Sequence, residues 1–144
     1  MSKVLHTAEA HVTGGRVEGH GRTSDGALEV DLRSSAEMGG EGGGTNPELF
    51  AVGYAACFEG ALGVVARRQK AEVGDVAIDS EVALISAEDR SFGIAVEFHF
   101  ILPSVEGDHA VELVRAAHQV CPYSNATRGN VEVTLTATGA AVEA

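Results

Sequence analysis

An apolar segment in the middle of the chain, residues 49–66, limits what this sequence can fold into. Just before it, Thr45-Asn46-Pro47-Glu48 supplies a capping side chain, a first-turn proline and an acid for the positive end of a helix. Apolar side chains then recur at intervals of three and four residues: Phe50, Tyr54, Cys57, Phe58, Ala61 and Val65. The pattern predicts a long helix that runs to about Arg68 and buries one stripe. Because Glu59 and three glycines interrupt the segment, it is typical of a core helix rather than a membrane span.

The part of the chain before this helix has the pattern of a small sheet. Residues 4–13, 17–23 and 28–32 are predicted as strands, and the first and third of them alternate side chains with a period of two. Gly14-Gly15 and Asp25-Gly26 are turn signals between them. We therefore expect three strands in an antiparallel meander.

The part after the helix predicts more strands and a second helix. Residues 76–86 and 94–102 read as two strands, residues 108–120 as a helix with one apolar face, and residues 131–137 as a last strand. The order β-β-β-α-β-β-α-β indicates the α+β fold class, with an antiparallel sheet packed on two core helices. At this length we expect a single domain over residues 1–144.

Charge and composition exclude some partners. The formal net charge is −11, whereas nucleic acid and anionic membrane surfaces bind clustered Lys and Arg, so neither is expected as a partner. The first residues contain no apolar run of signal-peptide length, and we therefore expect a cytoplasmic protein. In that reducing compartment, a disulfide is more often transient and catalytic than structural.

A glycine-rich stretch precedes the long helix. Residues 34–45 hold five glycines in six consecutive positions, which predicts a mobile loop. A phosphate-binding loop would end in Gly-Lys-Ser/Thr, but this stretch has no lysine and carries Glu37 and Glu41. Phosphate binding is therefore not favoured.

The two cysteines, Cys57 and Cys121, fall on the apolar faces of the two predicted helices, and the residues alone leave several interpretations open. Both are suited to be small core hydrophobes. With His118 they offer three metal ligands, although at a spacing that matches no known pattern. His118 is also a possible base for a cysteine hydrolase. Pro122 disfavours a helical conformation for Cys121 itself.

A redox role for Cys57 requires a thiolate, which needs a source of positive charge. The helix dipole acts within the first turn, and Cys57 lies well beyond it. Arg16, after the Gly14-Gly15 turn, and Arg128, after the second cysteine, are the cations in unusual settings. An arginine stays charged when desolvated and binds oxygen and sulfur anions with a planar fork. Composition alone favours reading Arg16 as an exposed turn residue.

Four motifs resemble those of a known family. The runs GTNPELFAVGYAACF (44–58) and AHQVCPYSNATRGN (117–130) are similar to its two cysteine segments. Thr13-Gly14-Gly15-Arg16 resembles its arginine turn, and Glu37-Met38-Gly39-Gly40 its glycine loop. The family is Ohr/OsmC, and the run that begins at Cys121 is typical of its Ohr (organic hydroperoxide resistance) branch. The likeness covers essentially the whole chain.

The resemblance implies an OsmC-like fold, an intertwined homodimer and active sites at the subunit interface. It implies a peroxidatic Cys57, a resolving Cys121, and Arg16 with Glu48 as the polar pair that tunes Cys57. The implied substrate is an organic hydroperoxide, and the implied reductant is a lipoylated protein or dihydrolipoamide. No cofactor and no metal ion are expected.

One spacing departs from the family pattern. The family has a glutamine between its glutamate and Leu-Phe, so that its glutamate lies ten residues before the cysteine, whereas Glu48 lies nine before Cys57. If Glu48 is helical, the missing residue rotates it by about 100° relative to Cys57. If it lies at the junction of loop and helix, the flexible glycines absorb the change.

The sequence also supports a hypothesis about the substrate pocket and a rival function. Met38, Phe50 and Tyr54 are candidates to line a pocket for bulky peroxides. The rival function is a redox sensor or ligand-binding module whose cysteines oxidise without turnover. The rate of peroxide consumption distinguishes the two functions.

Overall fold

The computed structural model describes residues 2–40, 42 and 46–143, which form two compact units, Met1–Leu49 and Phe50–Ala144. The sheets are separate, with three strands in the first unit and four in the second. The α+β class expected from the sequence is confirmed. The assignment of residues 1–144 to one domain stays a prediction.

The first unit is the expected antiparallel meander. Its strands are β1 (Ala10–Thr13), β2 (Glu18–Thr23) and β3 (Glu29–Arg33), hydrogen-bonded in that order. A 3-10 turn, Ala36–Met38, follows. In the turn between β1 and β2, Gly14 and Gly15 have φ angles of 75° and 71°, in the left-handed region that glycine adopts without strain.

Strand β1 is shorter than the predicted span of residues 4–13. Ala10 pairs with Thr23, which is the last residue of β2. The residues before Ala10 therefore run past the end of their partner strand. One further backbone hydrogen bond, from the Ser24 N–H to the Glu9 carbonyl oxygen, continues the pairing after β2 has ended, and no strand extends before Ala10 in the described residues.

The long helix predicted from the sequence is present as α1 (Asn46–Gln69). The capping role predicted for Thr45 lies outside the described residues, as does part of the predicted mobile loop. Glu48 lies in the first turn of α1. Tyr54 and Phe58 are fully buried, and their rings contact Phe98 edge-on at centroid distances of 4.7 and 5.8 Å. These contacts fix the buried stripe of α1 to the sheet of the second unit.

That sheet has the strand order β4 (Ala77–Ser86), β5 (Phe92–Ile101), β6 (Glu132–Ala137) and β7 (Ala140–Val142). It departs from the expected antiparallel sheet in one pairing, because β5 and β6 run parallel. The helical segment between these strands carries the chain back to the end at which β5 began, so that β6 enters the sheet in the same direction. Strand β7 was not predicted.

Two helices make up that crossover. Helix α2 (Gly107–Val120) packs on β6 and β7, and a short helix α3 (Pro122–Thr127), which the sequence analysis missed, follows at once. Between them Cys121 is extended, with φ −62° and ψ 124°, as expected for a residue before proline. The core of the second unit joins α1, α2 and the sheet. Its fully buried large apolar side chains are Tyr54, Phe58, Leu62, Phe98, Phe100, Leu102, Leu113, Val114 and Leu135.

Helix α1 is apolar on more than its core face. By length and composition alone Pro47–Gln69 is able to cross a membrane, and its most apolar window has a mean hydropathy of 1.7. Only 33% of that window is buried. One face therefore packs in the core of the second unit, whereas Val52, on another face of the helix, is 73% exposed.

Candidate active site

The two cysteines lie side by side in the second unit. The sulfur atoms of Cys57 and Cys121 are 3.7 Å apart, and the Cys121 thiol is placed to donate a hydrogen bond to the Cys57 sulfur. Both are free thiols. Cys121 is fully buried, whereas Cys57 is partly exposed. A small molecule therefore has access to Cys57 but not to Cys121.

Local structure explains this placement. Cys57 precedes Phe58 of the buried stripe on α1, so its side chain lies at the edge of that stripe. Cys121 sits where Pro122 ends α2 and begins α3, and the break in the helix brings its sulfur towards α1. The pair joins residues 64 positions apart in the chain.

The surroundings of Cys57 oppose its ionisation. Burial raises the pKa of the Cys57 thiol, and the adjacent Cys121 sulfur raises it further because two negative sulfurs at this distance repel. A hydrogen bond from the backbone N–H of Tyr123 lowers this pKa, but less than the other effects raise it. Among the described residues of the second unit, no lysine or arginine lowers the pKa of Cys57. These surroundings alone therefore disfavour the thiolate form of Cys57.

A chain of buried hydrogen bonds runs beside the cysteines. The Ser124 hydroxyl lies 2.8 Å from Nδ1 of His118 and 2.8 Å from the Tyr54 hydroxyl. Thr127 Oγ1 is 3.3 Å from the same Tyr54 oxygen. All four residues are buried. This chain links α1, α2 and α3.

Burial keeps the two ionisable groups of this hydrogen-bond series, His118 and Tyr54, uncharged. Burial lowers the pKa of His118, and the nearby Arg128 lowers it further, so the imidazole is neutral at pH 7. Burial also raises the pKa of Tyr54, which keeps its hydroxyl protonated. The chain therefore consists of neutral hydrogen-bonding groups.

Arg128, one of the two cations considered for Cys57, is occupied elsewhere. Its guanidinium donates to the carbonyl oxygen of His118 at 2.7 Å and to Asn125 Oδ1 at 2.8 Å. It thus satisfies a carbonyl near the end of α2 and stabilises the α2–α3 junction. This geometry gives Arg128 a structural role.

Aromatic rings form the surface next to the partly exposed Cys57. The ring of Tyr123 stacks on Phe50 at a centroid distance of 6.0 Å and meets Tyr54 edge-on at 5.9 Å. Tyr123 is 44% exposed and Phe50 is partly buried. Tyr54 is fully buried, and the hypothesis that it lines a substrate pocket with Met38 and Phe50 stays a prediction. Tyr123, which the sequence analysis did not consider, adds an exposed ring beside Phe50.

Two alternatives raised by the sequence are not favoured. His118 directs Nδ1 to Ser124 and stacks on Phe58, and within the described chain it has no hydrogen bond to either sulfur, as a hydrolase base would need. In the described part, the group whose ligand atoms converge as for a metal is Glu81, Glu97 and His99. The cysteines and His118 do not form such a group.

Arg16 and Glu48 belong to the first unit. Arg16 is an exposed residue in the turn between β1 and β2, directly after the two left-handed glycines. Glu48 is exposed in the first turn of α1. Their assignment to the site stays a prediction.

Comparison with known proteins shows which family the chain belongs to. The family model for OsmC-like proteins matches residues 39–136. An organic hydroperoxide resistance protein of Xanthomonas axonopodis pv. citri (strain 306) is 54% identical over 93% of this chain and 95% of its own length. The chain belongs to the Ohr branch of the OsmC-like family. Organic hydroperoxide resistance protein OhrB of Bacillus subtilis (strain 168) is 47% identical over 91% of this chain and 96% of its own.

Solved Ohr structures have the same fold. An organic hydroperoxide resistance protein from Legionella pneumophila superposes with a TM-score of 0.89 at 46% identity, covering 94% of this chain and 99% of its own. The OsmC-like fold expected from the sequence is therefore confirmed for this Ohr chain.

Several groups near the cysteines were missed by reasoning from the sequence. Ser124 and Tyr123 directly follow Cys121 and Pro122, but the sequence analysis assigned a role only to the cysteine and the proline. Polar residues at the start of a short helix were a usable signal for Ser124. The hydrogen bonds of the Tyr54 hydroxyl were not predictable from the sequence. The apolar pattern of α1 predicts that the ring is buried, but not which groups its oxygen contacts.

Proposed function

We propose that the protein is a cysteine-based peroxidase that reduces organic hydroperoxides to alcohols. The observation that carries the proposal is the pair of free thiols 3.7 Å apart, one partly exposed and one fully buried. The relatives named for organic hydroperoxide resistance support the same substrate class.

In the first step, the Cys57 thiolate attacks the distal oxygen of the hydroperoxide. The O–O bond breaks, the alcohol leaves with one proton, and Cys57 becomes a sulfenic acid. The partly exposed sulfur and the apolar rings of Phe50 and Tyr123 suit a substrate with an organic group. Because its local surroundings raise the pKa of Cys57, a nearby cation would stabilise the thiolate. We assign that role to Arg16, with Glu48 as its orienting partner, on the resemblance of their motifs to those of the family.

In the second step, Cys121 attacks the sulfenic sulfur of Cys57. A disulfide forms, and the sulfenic oxygen leaves as water with the proton of Cys121. The sulfur atoms must approach from 3.7 Å to about 2.05 Å, a movement that side-chain rotation and a small backbone shift supply. Because Cys121 is fully buried, peroxide itself does not reach it.

In the third step, a dithiol restores both thiols by exchange through a mixed disulfide. The partly exposed Cys57 sulfur is the one open to attack. We assign the dithiol to dihydrolipoamide or a lipoylated protein, and the compartment to the cytoplasm. Both assignments rest on the family resemblance.

A homodimer completes the proposal. The apolar face of α1 that carries Val52, which is 73% exposed, is suited to bury against a second copy of the chain. The family resemblance implies that the two copies are intertwined and that the active sites lie at their interface.

Intact mass measured without reductant tests the peroxidase proposal. One equivalent of cumene hydroperoxide added to the reduced protein should lower its mass by about 2 Da, because two hydrogens leave when the disulfide forms. Consumption of peroxide at the rate of a free thiol, with no turnover, would instead favour the redox sensor.

A further inference from the structure

We propose that the hydroxyl of Ser124 is a positioning group that holds Cys121 ready to form the disulfide with Cys57. This inference rests on the proposed peroxidase function and adds to it a residue that controls the second step. Ser124 touches neither substrate nor the reacting sulfurs in any contact described above. It acts through the backbone segment that carries Cys121.

The spacing of the contacts supports this role. His118 lies three residues before Cys121 and Ser124 three residues after it, and their side chains join at 2.8 Å. This hydrogen bond closes over the break between α2 and α3. Cys121, the residue before α3, makes no side-chain capping hydrogen bond. Two side-chain hydrogen bonds span the junction instead, one between Ser124 and His118 and one from Arg128 to the His118 carbonyl oxygen, and only the first also reaches α1.

The same hydroxyl also reaches the other cysteine segment. Tyr54 lies three residues before Cys57 on α1, and its hydroxyl is 2.8 Å from Ser124 Oγ. One buried oxygen thus connects the segment of Cys57 with the segment of Cys121. Because all its partners are buried, the hydrogen bonds are shielded from competition by water.

The effect should appear in one step of the cycle. Attack on the hydroperoxide uses Cys57 alone, whereas attack on the sulfenic acid requires Cys121 to stay within reach and in line. Without the hydrogen bonds of the Ser124 hydroxyl, the segment that carries Cys121 samples more positions, and formation of the disulfide slows. The longer-lived sulfenic acid of Cys57 then reacts with a second hydroperoxide molecule, which oxidises it to sulfinic acid.

The test compares Ser124→Ala and Tyr54→Phe with wild type, with Ser80→Ala as a matched control. The Ser80 hydroxyl also bonds to α1, at the carbonyl oxygen of Ala51, but away from the cysteines. Rapid quenching at intervals after peroxide, with dimedone to trap sulfenic acid, and intact mass separate the two steps. The native near-ultraviolet circular dichroism of each variant reports folding, and Tyr54→Phe keeps the test open if Ser124→Ala does not fold.

In Ser124→Ala, sulfenic acid should form within about twofold of the wild-type rate, while disulfide closure slows by about tenfold and sulfinic acid accumulates. Tyr54→Phe should show the same split to a smaller extent, and Ser80→Ala should show none. Unchanged closure in both variants, or equal slowing of both steps, would overturn the role of Ser124.

A second oxidant separates this inference from the proposed function. Diamide takes up the two hydrogens of a dithiol and leaves a disulfide, with no peroxide involved. If wild type does not react with peroxide but closes with diamide faster than Ser124→Ala, the peroxidase proposal fails and the positioning role stands. Equal rates of closure with diamide in wild type and both variants would count against the positioning role.

Discussion

The buried thiol of Cys121 lies 3.7 Å from the partly exposed sulfur of Cys57, and only Cys57 is open to a substrate. The proposed function uses this asymmetry to give different tasks to two residues of the same type. The exposed sulfur suits reaction with peroxide and with reductant, and the buried sulfur suits resolution. The predictions below follow from that division and from the groups around the pair.

Replacing each cysteine alone should give different defects. Cys57→Ser should abolish peroxide reduction, since the accessible nucleophile is lost. Cys121→Ser should react once and then stop as sulfenic acid or oxidise further. Consumption of peroxide in excess reductant and intact mass after one equivalent measure both outcomes. Equal residual turnover in the two variants would contradict the assigned roles.

Arg16 should contribute more to reactivity than Glu48. Without Arg16 the pKa of Cys57 is expected to rise, because the positive charge proposed to stabilise the thiolate is lost while burial and the neighbouring sulfur still raise the pKa. Arg16→Ala should slow Cys57 oxidation by at least about tenfold, or roughly 1.4 kcal/mol, and Glu48→Ala by less. Rapid-quench rates across pH test both variants, with Arg128→Ala as a comparison. Oxidation of Arg16→Ala as fast as wild type at neutral pH would assign the activating charge to another residue.

The reductant should be a lipoyl dithiol. Dihydrolipoamide should support many turnovers, whereas a thioredoxin system should support few, as the family resemblance implies. Steady-state peroxide consumption with each reductant at matched concentration measures this. A clear preference for thioredoxin would separate this chain from the Ohr pattern of recycling.

The chain should be a dimer at micromolar concentration. Light scattering should give about twice the chain mass of 14.8 kDa, because the face of α1 that carries Val52 is apolar. Val52→Lys places a charge on that face and should shift the protein towards the monomer. A wild-type mass of one chain would contradict the homodimer.

The pKa values of two histidines should be shifted in opposite directions by folding. Burial, with Arg128 nearby, lowers the pKa of His118 below 6.5, while the hydrogen bonds that His20 donates to the carboxylates of Asp31 and Glu29 raise the pKa of His20 above 6.5. Below pH 6.5, His118 binds a proton in the unfolded chain but stays neutral in the folded chain. Protonation of His118 therefore favours unfolding as the pH falls. His20 favours folding at low pH, and its contribution is lost as pH rises through its folded pKa.

NMR titration of the imidazole C–H signals measures both values, with His118→Gln and His20→Gln for assignment. A midpoint for His118 at or above 6.5 would show that this imidazole is not held neutral by its surroundings.

Much of the local structure was determined by the sequence itself. Helix α1 follows from an acid and proline at its start and an apolar stripe, and the extended Cys121 follows from Pro122. Each of these depends on residues that are neighbours along the chain, so the pattern carries the information.

Tertiary structure decided the rest. The distance between Cys57 and Cys121, the difference in their exposure, and the bonds of Ser124 join residues far apart in sequence. The parallel pairing of β5 with β6 depends on how the crossover packs, and β1 begins only at Ala10, opposite the last residue of β2. Periodicity shows which side of an element is buried, but not which element covers it. The chemistry of this site depends on that second fact, because burial and proximity set the reactivity of both thiols.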